Sequence, residues 1–511
     1  MLNIIQAKDV KDKKIVLDAD AVVIGSGAGG AVMTYKLAKA GMNVVVLEAG
    51  PYVPSSEFNE NLPDMMERLY EDGGAQTNKD GDLGVLQGRC VGGSTVVNGC
   101  VAFRTPDFVL DQWQQEFGLN NLTMEALRPY YEEVEKNLSV HENQDYEINA
   151  NSRIQIRGCD KLGISWKRLQ RNTRACAMTG HCLAGCKTDR KQSMLVTYIP
   201  WALELGATLY ADTKVTKIHT EAGVAKGVSA RTTDASGVVV ADIKVNAAIV
   251  VCAAGAIQTP LLFLESGIAN SSAQVGKNFA CHPSSAVVAE FEEEIHPWRG
   301  ALLGSYVDEY MHPDKGGFIL EGGGSGPIEM ALSTEPGTGA AHLDFMSKIK
   351  NYATMVTLIH DHNVGHIRLN AGKKEINYAI ADIDFPTMKK ALSAAAKIFF
   401  AAGAKRVYLP TVSRTVIESE SELGAALDKL ENEVHTLRMV SYHPQGTMRM
   451  GADKSAAVVS PNGETHDIKN LYVADASLFP SSIIVNPQIT VYALSAYIAD
   501  GITHDRATTL A

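Results

Sequence analysis

Short apolar runs alternate with glycine-rich loops and helical patterns along the chain. Residues 21–24 and 43–47 are two such runs, and a helical pattern between them ends at Gly41. Runs of this kind are typical of strands buried on both faces of a parallel sheet. Their order predicts a right-handed strand–helix–strand unit near the start of the chain.

The C-terminal part repeats the same kind of pattern. Residues 471–474 predict a buried strand that ends at Asp475. Asn486 and Pro487 then precede a long apolar segment, which predicts a helix with Asn486 as N-cap and Pro487 at the first helical position. In the interior, residues 316–327 predict a strand followed by a glycine-rich loop that lines or gates a pocket.

Three glycines follow the first predicted strand with the spacing G-x-G-x-x-G, at Gly25, Gly27 and Gly30. In this pattern the first glycine permits a tight turn, the second lets the backbone approach a pyrophosphate, and the third lets helix and strand pack closely. The following helix N-terminus offers free N–H groups to phosphates. Glu48 ends the second strand, where it could accept hydrogen bonds from a ribose. The pattern predicts a dinucleotide site but does not distinguish FAD from NAD.

Composition narrows the class of protein. The 511 residues are 45% hydrophobic and 21% charged, which is typical of a globular protein with two domains or one elaborated domain. The net charge of −11 disfavours a nucleic-acid partner. No apolar run reaches the ~18 residues of a transmembrane helix. The start of the chain lacks a signal-peptide pattern and eight cysteines are scattered along it, so we expect a cytoplasmic protein.

A second glycine cluster adds a family resemblance. The segment 86–106 contains GRCVGGSTVVN, a small-residue loop that allows a planar ligand close to the backbone. Together with the first glycine motif, residues 255–268, 275–279 and 441–451 complete a set of motifs in family order. With these motifs the chain resembles the glucose–methanol–choline (GMC) oxidoreductases, which are FAD-dependent alcohol oxidases and dehydrogenases.

The resemblance implies an α/β fold, α+β overall. We expect a Rossmann-like FAD-binding domain built from residues 16–110, 200–282 and 440–508. A discontinuous substrate domain on an antiparallel sheet would comprise residues 111–199 and 283–439. The matching positions imply FAD contacts from Gly25, Gly27, Gly30, Glu48, Gly88, Gly93, Ser94, Thr95, Asn98, Val215, Asp475 and Pro487.

The expected reaction needs a base for the alcohol hydroxyl, with a pKa near the working pH. An unperturbed histidine has a pKa of about 6.5. His443 matches the active-site histidine of the family, and Asn486 matches its partner, which is histidine or asparagine in relatives. We expect His443 to act as base, or to stabilise the alkoxide, while the uncharged Asn486 positions the substrate. The helix after Pro487 would stabilise the anion that forms on the reduced flavin.

Three cysteines, Cys176, Cys182 and Cys186, occur with the spacing C-x5-C-x3-C. A disulfide framework would leave one thiol over, and a zinc site would need His181, which adjoins Cys182 and would crowd it. Three thiolates suit a [3Fe–4S] cluster. One branch of the GMC family, similar to bacterial glucose and sugar-alcohol dehydrogenases, holds such a cluster at this spacing. Members similar to cholesterol or long-chain alcohol oxidases do not require one, so a metal-free loop stays equally open.

The electron acceptor depends on this loop. A cluster, with its charge offset by Lys187, Arg190 and Lys191, favours a dehydrogenase that passes electrons to a cytochrome-type subunit or a quinone. Without a cluster, dioxygen or a soluble quinone is as suitable. A non-redox lyase on the same fold is a further alternative. An electron-transfer subunit without its own substrate is disfavoured by the His443 and Asn486 pair. The protein could also be exported with a partner subunit that carries the signal.

Overall fold

The computed structural model describes residues 3–324, 326–333, 339–362, 364–413 and 415–510. The strands, in chain order, are β1 (Ile4–Ile5), β2 (Lys14–Ile24), β3 (Val44–Leu47), β4 (Leu83–Val85), β5 (Val140–Glu142), β6 (Trp166–Arg168), β7 (Gln170–Asn172), β8 (Thr208–Tyr210), β9 (Thr213–Glu221), β10 (Val224–Thr233), β11 (Val239–Cys252), β12 (Ser284–Glu290), β13 (Leu303–Val307), β14 (Phe318–Gly323), β15 (Tyr352–Ile359), β16 (His366–Asn370), β17 (Lys373–Asn377), β18 (Arg406–Tyr408), β19 (Val416–Ile417), β20 (Met439–Ser441) and β21 (Leu471–Val473).

The α-helices of these residues are α1 (Ala28–Lys39), α2 (Leu62–Leu69), α3 (Asp107–Phe117), α4 (Met124–Asn137), α5 (Ala150–Leu162), α6 (Tyr198–Glu204), α7 (Gly255–Ser266), α8 (Pro327–Ser333), α9 (Ala340–Ser347), α10 (Phe385–Ala402), α11 (Leu423–Asp428) and α12 (Gln488–Leu510). Helix α12 begins one residue later than predicted, directly after Pro487. Among the residues described, we find no helix with the length and apolar character needed to cross a bilayer.

The first sheet has the strand order β1-β8-β3-β2-β11-β10-β9, with β21 also paired to β11. The predicted strand–helix–strand unit is β2, α1 and β3, and its two strands pair in parallel from Ala21 opposite Val44. Ala21, Val22 and Val23 are fully buried, as the apolar run predicted. Strands β9, β10 and β11 form an antiparallel extension. This is the predicted Rossmann-like part of the fold.

The second sheet has the order β19-β18-β12-β15-β14-β13-β6, and β20 joins it to β4. Its main pairings are antiparallel, as predicted for the substrate domain. Helix α10 packs on it and ends at Gly403, whose φ of +98° is a left-handed helix C-cap. The domain boundaries stay a prediction, and two strands cross them. Leu83–Val85 and residues 440–441 come from ranges assigned to the FAD domain, but they pair with each other and join the second sheet.

Candidate active site

A cavity of about 920 Å³ is lined by residues of both large sheets. Three helices begin at its wall, because Ala28 of α1, Gly255 of α7 and Gln488 of α12 all line it. Free N–H groups at helix N-termini carry partial positive charge. The cavity is therefore suited to a ligand with negatively charged groups, such as a dinucleotide.

The first glycine motif forms one wall of this cavity. Gly25 has a φ of +94°, and a Cβ atom there would lie 2.5 Å from the carbonyl oxygen of Ala253. Gly27 faces Gly93, since a Cβ on Gly93 would lie 2.8 Å from the Gly27 Cα. Gly30 is absent from the lining residues; its Cβ would lie 2.0 Å from the Gly25 oxygen. The third glycine thus permits close packing of α1, as predicted, and the first permits a close approach of the turn to the Ala253 backbone.

The Glu48 carboxylate lines the cavity at the end of β3 and is nearly buried. Its Oε2 accepts hydrogen bonds from the backbone N–H and the hydroxyl of Ser26, at 2.9 and 2.7 Å. Its Oε1 accepts one from the Gly50 N–H at 2.7 Å. Burial raises the pKa of Glu48, and these hydrogen bonds oppose that rise. Oε2 already accepts two hydrogen bonds, but Oε1 can accept a second one, so a ribose hydroxyl is a suitable donor to Oε1.

The second glycine cluster packs against this wall. Ser94 Oγ accepts a hydrogen bond from the Gly88 N–H at 3.0 Å, and Thr95 Oγ1 donates to the Gly92 oxygen at 2.7 Å. Asn98 Nδ2 donates to Gln488 Oε1 at 2.8 Å. This last bond ties the loop to the start of α12. The predicted residues of the loop, Gly88, Gly93, Ser94, Thr95 and Asn98, all line the cavity.

Asp475 lines the cavity beside α7, and its side chain is buried. Its Oδ2 accepts hydrogen bonds from the Gly255 N–H at 2.9 Å and the Thr259 hydroxyl at 2.7 Å. Burial raises the pKa of this carboxyl. Asp475 therefore holds the N-terminus of α7 in place at the wall. Val215 and Pro487, the remaining predicted contacts, also line the cavity.

His443 and Asn486 meet at the same cavity, although they lie far apart in the chain. His443 Nε2 and Asn486 Nδ2 are 3.4 Å apart. Both side chains are largely buried, and Asn486 Oδ1 is a buried acceptor without a partner. Burial lowers the pKa of His443 to about 3, so its imidazole is neutral at physiological pH. The pair can present a neutral base and an amide to one hydroxyl group.

Comparison with known proteins shows the family of this chain. Models of the GMC oxidoreductase family match residues 66–284 and 361–495, and a model of NAD(P)-binding Rossmann-like domains matches residues 23–77. An uncharacterized GMC-type oxidoreductase of Mycobacterium tuberculosis is 33% identical over 96% of this chain and 76% of its own. The chain belongs to the GMC oxidoreductase family. It is thus a flavoprotein oxidoreductase that acts on alcohols, as the sequence predicted.

Other GMC relatives carry more specific names. A long-chain-alcohol oxidase of Arabidopsis thaliana is 28% identical over 97% of this chain and 70% of its own. A 2-methyl-1,2-propanediol dehydrogenase of Mycolicibacterium austroafricanum is 26% identical over 95% of both chains. The crystal structure of formate oxidase superposes with a TM-score of 0.72 at 18% identity, covering 97% of this chain and 99% of its own. The last comparison shows the shared fold.

The GMC site contains polar groups that the sequence analysis missed. Glu321, on β14, lines the cavity, forms a hydrogen bond with Asn486, and has one buried oxygen without a partner. Burial raises its pKa to about 7. A single charged residue inside the apolar run FILEGG was the available signal. In the structure, the strand predicted within residues 316–327 is Phe318–Gly323. Ser325, in the predicted loop, lies outside the described residues.

His282 was also missed. Its Nδ1 lies 3.2 Å from Nδ1 of His443, and its Nε2 lies 3.0 Å from Nε2 of Gln445. It occurs in FACHPSS, where a histidine before proline gives no indication of a partner 161 residues away. The contact is produced by the pairing of the two segments in the tertiary structure.

The cysteine loop lies beside the segment that carries Asn98. Lys191 is buried, and its Nζ donates hydrogen bonds to the Asn98 oxygen at 3.0 Å and the Cys182 oxygen at 2.8 Å. The Lys191 N–H donates to Cys186 Sγ at 3.4 Å. Of the three cations predicted to offset a cluster charge, only Lys191 contacts the cysteines of the loop. Lys187 and Arg190 are exposed.

The main cation at the sulfur atoms is Arg171, which the sequence analysis did not select. Its side chain is fully buried, with Nη1 3.9 Å from Cys176 Sγ and Nη2 3.8 Å from Cys182 Sγ. A hydrogen bond from Cys100, followed by the charges of Arg171 and Lys191, lowers the pKa of Cys182 well below its usual value. Cys100, which is buried next to Cys182, therefore contributes to the electrostatics of the loop.

A single metal ion is not supported at this loop. Within the ranges the structure describes, no group of three or more histidine, cysteine, aspartate or glutamate side chains is arranged to hold one. The zinc alternative therefore gains no support. What the loop does offer is sulfur atoms beside a permanent, buried positive charge, which is a suitable environment for an anionic sulfur-ligated group.

Proposed function

We propose that this GMC oxidoreductase oxidises an alcohol to an aldehyde or ketone, with His443 as the base and Asn486 positioning the substrate oxygen. The observation that carries the proposal is the 3.4 Å contact between His443 Nε2 and Asn486 Nδ2 at the wall of the cofactor cavity. The hydroxyl proton passes to His443 Nε2, and the C–O bond becomes a carbonyl. FAD, when bound, accepts the hydride that leaves the carbinol carbon.

His443 is available as a base because burial keeps it neutral. Its pKa of about 3 leaves the imidazole neutral at any pH above that value, so one of its two ring nitrogens can accept a proton. The same burial makes the imidazolium costly, so the site must stabilise the positive charge when it forms. Asn486 contributes by orientation, since an amide has no proton affinity in this range. Its unpartnered Oδ1 is a polar atom available to the substrate.

The chain's own residues supply the cofactor environment. The N-termini of α1, α7 and α12 stabilise negative charge on the pyrophosphate and on the reduced ring. Glu48 is placed for the ribose, and Asp475 holds the start of α7. A Cβ on Gly25 or Gly93 would clash with the backbone of Ala253 or Gly27, so these glycines let the backbone segments of the wall pack closely. These features fit FAD as the bound group.

An alcohol with an extended apolar body fits the substrate end of the cavity. Leu303, Val356 and Leu358 of the second sheet line it together with Glu321. Two relatives are named for a long-chain alcohol and for a small branched diol. The aliphatic wall favours the first of these classes, because apolar surface is removed from water when such a chain binds.

We further propose that Cys176, Cys182 and Cys186 hold a [3Fe–4S] cluster that passes electrons to a non-NAD acceptor, either a protein subunit or a quinone. Arg171 supports this proposal. A buried guanidinium stays charged, and its side-chain partners are sulfur atoms. Its charge therefore needs anionic sulfur nearby, which a thiolate-ligated cluster would provide. The second candidate is an oxidase that uses dioxygen without a cluster, as the name of the Arabidopsis relative suggests.

One experiment tests both parts. The purified flavoprotein is mixed anaerobically with 1-dodecanol, 2-methyl-1,2-propanediol, glucose or cholesterol, and loss of the oxidised flavin absorbance is recorded. Iron and acid-labile sulfide are measured on the same sample. We expect bleaching with at least one alcohol, fastest with 1-dodecanol, and iron near three per chain. No bleaching with any alcohol contradicts the alcohol reaction, and active protein without iron contradicts the cluster.

A further inference from the structure

Two buried histidines form a pair behind the proposed base. His443 Nδ1 and His282 Nδ1 are 3.2 Å apart, and the two rings meet edge to face with centroids 5.3 Å apart. His282 is fully buried and is not among the residues that line the cavity. It therefore contacts the base from the side opposite to Asn486, which lies at Nε2 of His443.

The backbone holds His282 rigidly in this position. His282 has a φ of +46°, an uncommon conformation for a residue with a side chain. The N–H groups of Cys281 and His282 both donate to the Asp361 carboxylate, at 2.9 and 3.1 Å, and Tyr378 donates to the same group at 3.0 Å. A buried carboxylate with three donors thus stabilises the strained turn. A strained and well-supported residue of this kind is typical of a functional site.

The segments that carry the two histidines are also joined directly. Ala280 and Gln445 exchange two backbone hydrogen bonds, at 3.1 and 2.9 Å. Ser441 Oγ donates to the Cys281 oxygen at 2.7 Å and accepts from the His443 N–H at 3.3 Å. These bonds set the distance between the rings before any substrate binds.

A neutral imidazole carries one proton, so the contact between two Nδ1 atoms can hold a hydrogen bond in only one direction at a time. If His443 carries its proton on Nδ1, it donates to His282, and its Nε2 lone pair faces the cavity. If His282 donates instead, the His443 proton is on Nε2 and the base cannot accept the hydroxyl proton. The Asn486 Nδ2 donor at His443 Nε2 favours the first arrangement.

The contact between His282 and Gln445 can accommodate this arrangement if the amide turns. The arrangement places the His282 proton on Nε2, which lies 3.0 Å from Nε2 of Gln445, itself a donor. Gln445 Oε1 is buried without a partner, so turning the amide by 180° would give this oxygen a donor. The turn would cost the Gln445 Nε2 hydrogen bond to the His443 oxygen, which measures 3.1 Å.

We propose that His282 is a positioning residue for alcohol oxidation: its Nδ1 accepts a hydrogen bond from the Nδ1–H of His443, which fixes the tautomer with an unprotonated Nε2 and stabilises the imidazolium formed when the hydroxyl proton arrives. This inference rests on the proposed role of His443 as base. His282 takes the place that a carboxylate has in a Ser-His-Asp triad. A neutral acceptor avoids a permanent charge in the site.

The surroundings keep this acceptor neutral. The titratable groups that face His282 are His443, His360, Asp361, Cys281 and Tyr378. Burial, followed by the two neighbouring histidines, lowers the pKa of His282 well below its usual value. The Asp361 carboxylate is directed at the backbone N–H groups, so it supports the turn rather than the imidazole ring.

The kinetic test compares three variants by anaerobic flavin reduction with the best alcohol of the panel, from about pH 5 to pH 9. His282→Leu removes the acceptor and should slow reduction about 30- to 100-fold with little change in KM. His282→Asn places an amide oxygen near the position of Nδ1 and should restore the rate to within about fivefold of the wild type. His466→Asn, a half-buried histidine that bonds to the Gly451 oxygen and does not line the cavity, should change the rate less than about twofold. His282→Leu within threefold of the wild type overturns the proposal.

A second measurement needs no alcohol, so it separates this proposal from the proposed function. Holoprotein with ¹⁵N-labelled histidine is studied by NMR, and the His443 signals are assigned by their loss in His443→Asn. We expect His443 to be protonated at Nδ1 and unprotonated at Nε2 in the wild type and in His282→Asn. Protonation of His443 at Nε2 in the wild type overturns the proposal, even if His282→Leu fails to fold.

Discussion

The histidine pocket and the cysteine loop both place polar groups in the protein interior, but they treat charge in opposite ways. In the pocket, burial lowers the pKa of His443 to about 3, and its partners are an amide and a second imidazole. In the loop, Arg171 is fully buried between two sulfur atoms. The two histidines are neutral at rest, whereas the guanidinium is permanently charged.

The difference follows from what each group can do when water is removed. An imidazole loses its proton at little cost, so burial changes its pKa instead of leaving a charge. A guanidinium keeps its charge and must find an anion. The histidine pair can therefore acquire charge only during the reaction, whereas the guanidinium in the loop needs an anionic partner at all times. We expect the first region to control proton transfer and the second to hold an electron carrier.

The largest effect is expected from His443→Ala, which removes the group that becomes charged during the reaction. The rate of anaerobic flavin reduction should fall by about 10²- to 10⁴-fold, the usual contribution of a general base. Stopped-flow absorbance measures this rate. His219→Ala is the control, because His219 bonds to Ser229 on β10 away from the cavity. A rate for His443→Ala within a few-fold of the wild type would show that the base lies elsewhere.

Arg171→Met tests the permanent charge, and the sign of its effect is informative. If the sulfur atoms carry negative charge, removing the guanidinium leaves that charge buried and should destabilise the protein by about 3 kcal/mol. If they are neutral thiols, methionine removes an unpaired charge and should stabilise it. Thermal unfolding of the holoprotein measures the change. Arg168→Met, one strand away and partly exposed, should change stability by at most about 1 kcal/mol. A raised Tm for Arg171→Met contradicts the anionic site.

Glu321→Gln should have an effect that depends on pH and disappears in acid. The folded-state pKa of about 7 lies above the ordinary Glu value of about 4.3, so folding favours the protonated carboxyl. The free energy of unfolding should therefore fall as pH rises from about 4.3 through 7. Glutamine removes this dependence, so the variant should be the more stable protein at pH 8, by up to roughly 3 kcal/mol, and equal at pH 4.

Glu290→Gln is the matched control for this measurement. Glu290 is also a buried carboxylate, but it accepts a hydrogen bond from Tyr408 and lies near Arg406. Its replacement should lower stability at pH 8, opposite in sign to Glu321→Gln, because it breaks existing interactions. If Glu321→Gln shows the same Tm difference from the wild type at pH 4 and pH 8, Glu321 does not titrate in this range.

Local patterns in the sequence determined the cofactor half of the molecule. The apolar runs predicted β2, β3 and β21, and the glycine spacing predicted the turn that starts α1. These features are short-range, because strand burial and a positive φ are properties of a few consecutive residues. The order of the motifs along the chain likewise indicated the family and identified His443 and Asn486 as candidate site residues.

Only the tertiary structure identified His282, Glu321 and Arg171 as candidate functional residues. His282 reaches His443 through the pairing of two segments that are 161 residues apart, and Glu321 reaches the cavity through its place in the second sheet. Arg171 is an ordinary strand residue until the cysteine loop folds over it. The importance of each depends on burial and on a partner distant in the chain. Neither property is present in a local pattern, so the chemistry of charge in this protein is decided by its long-range contacts.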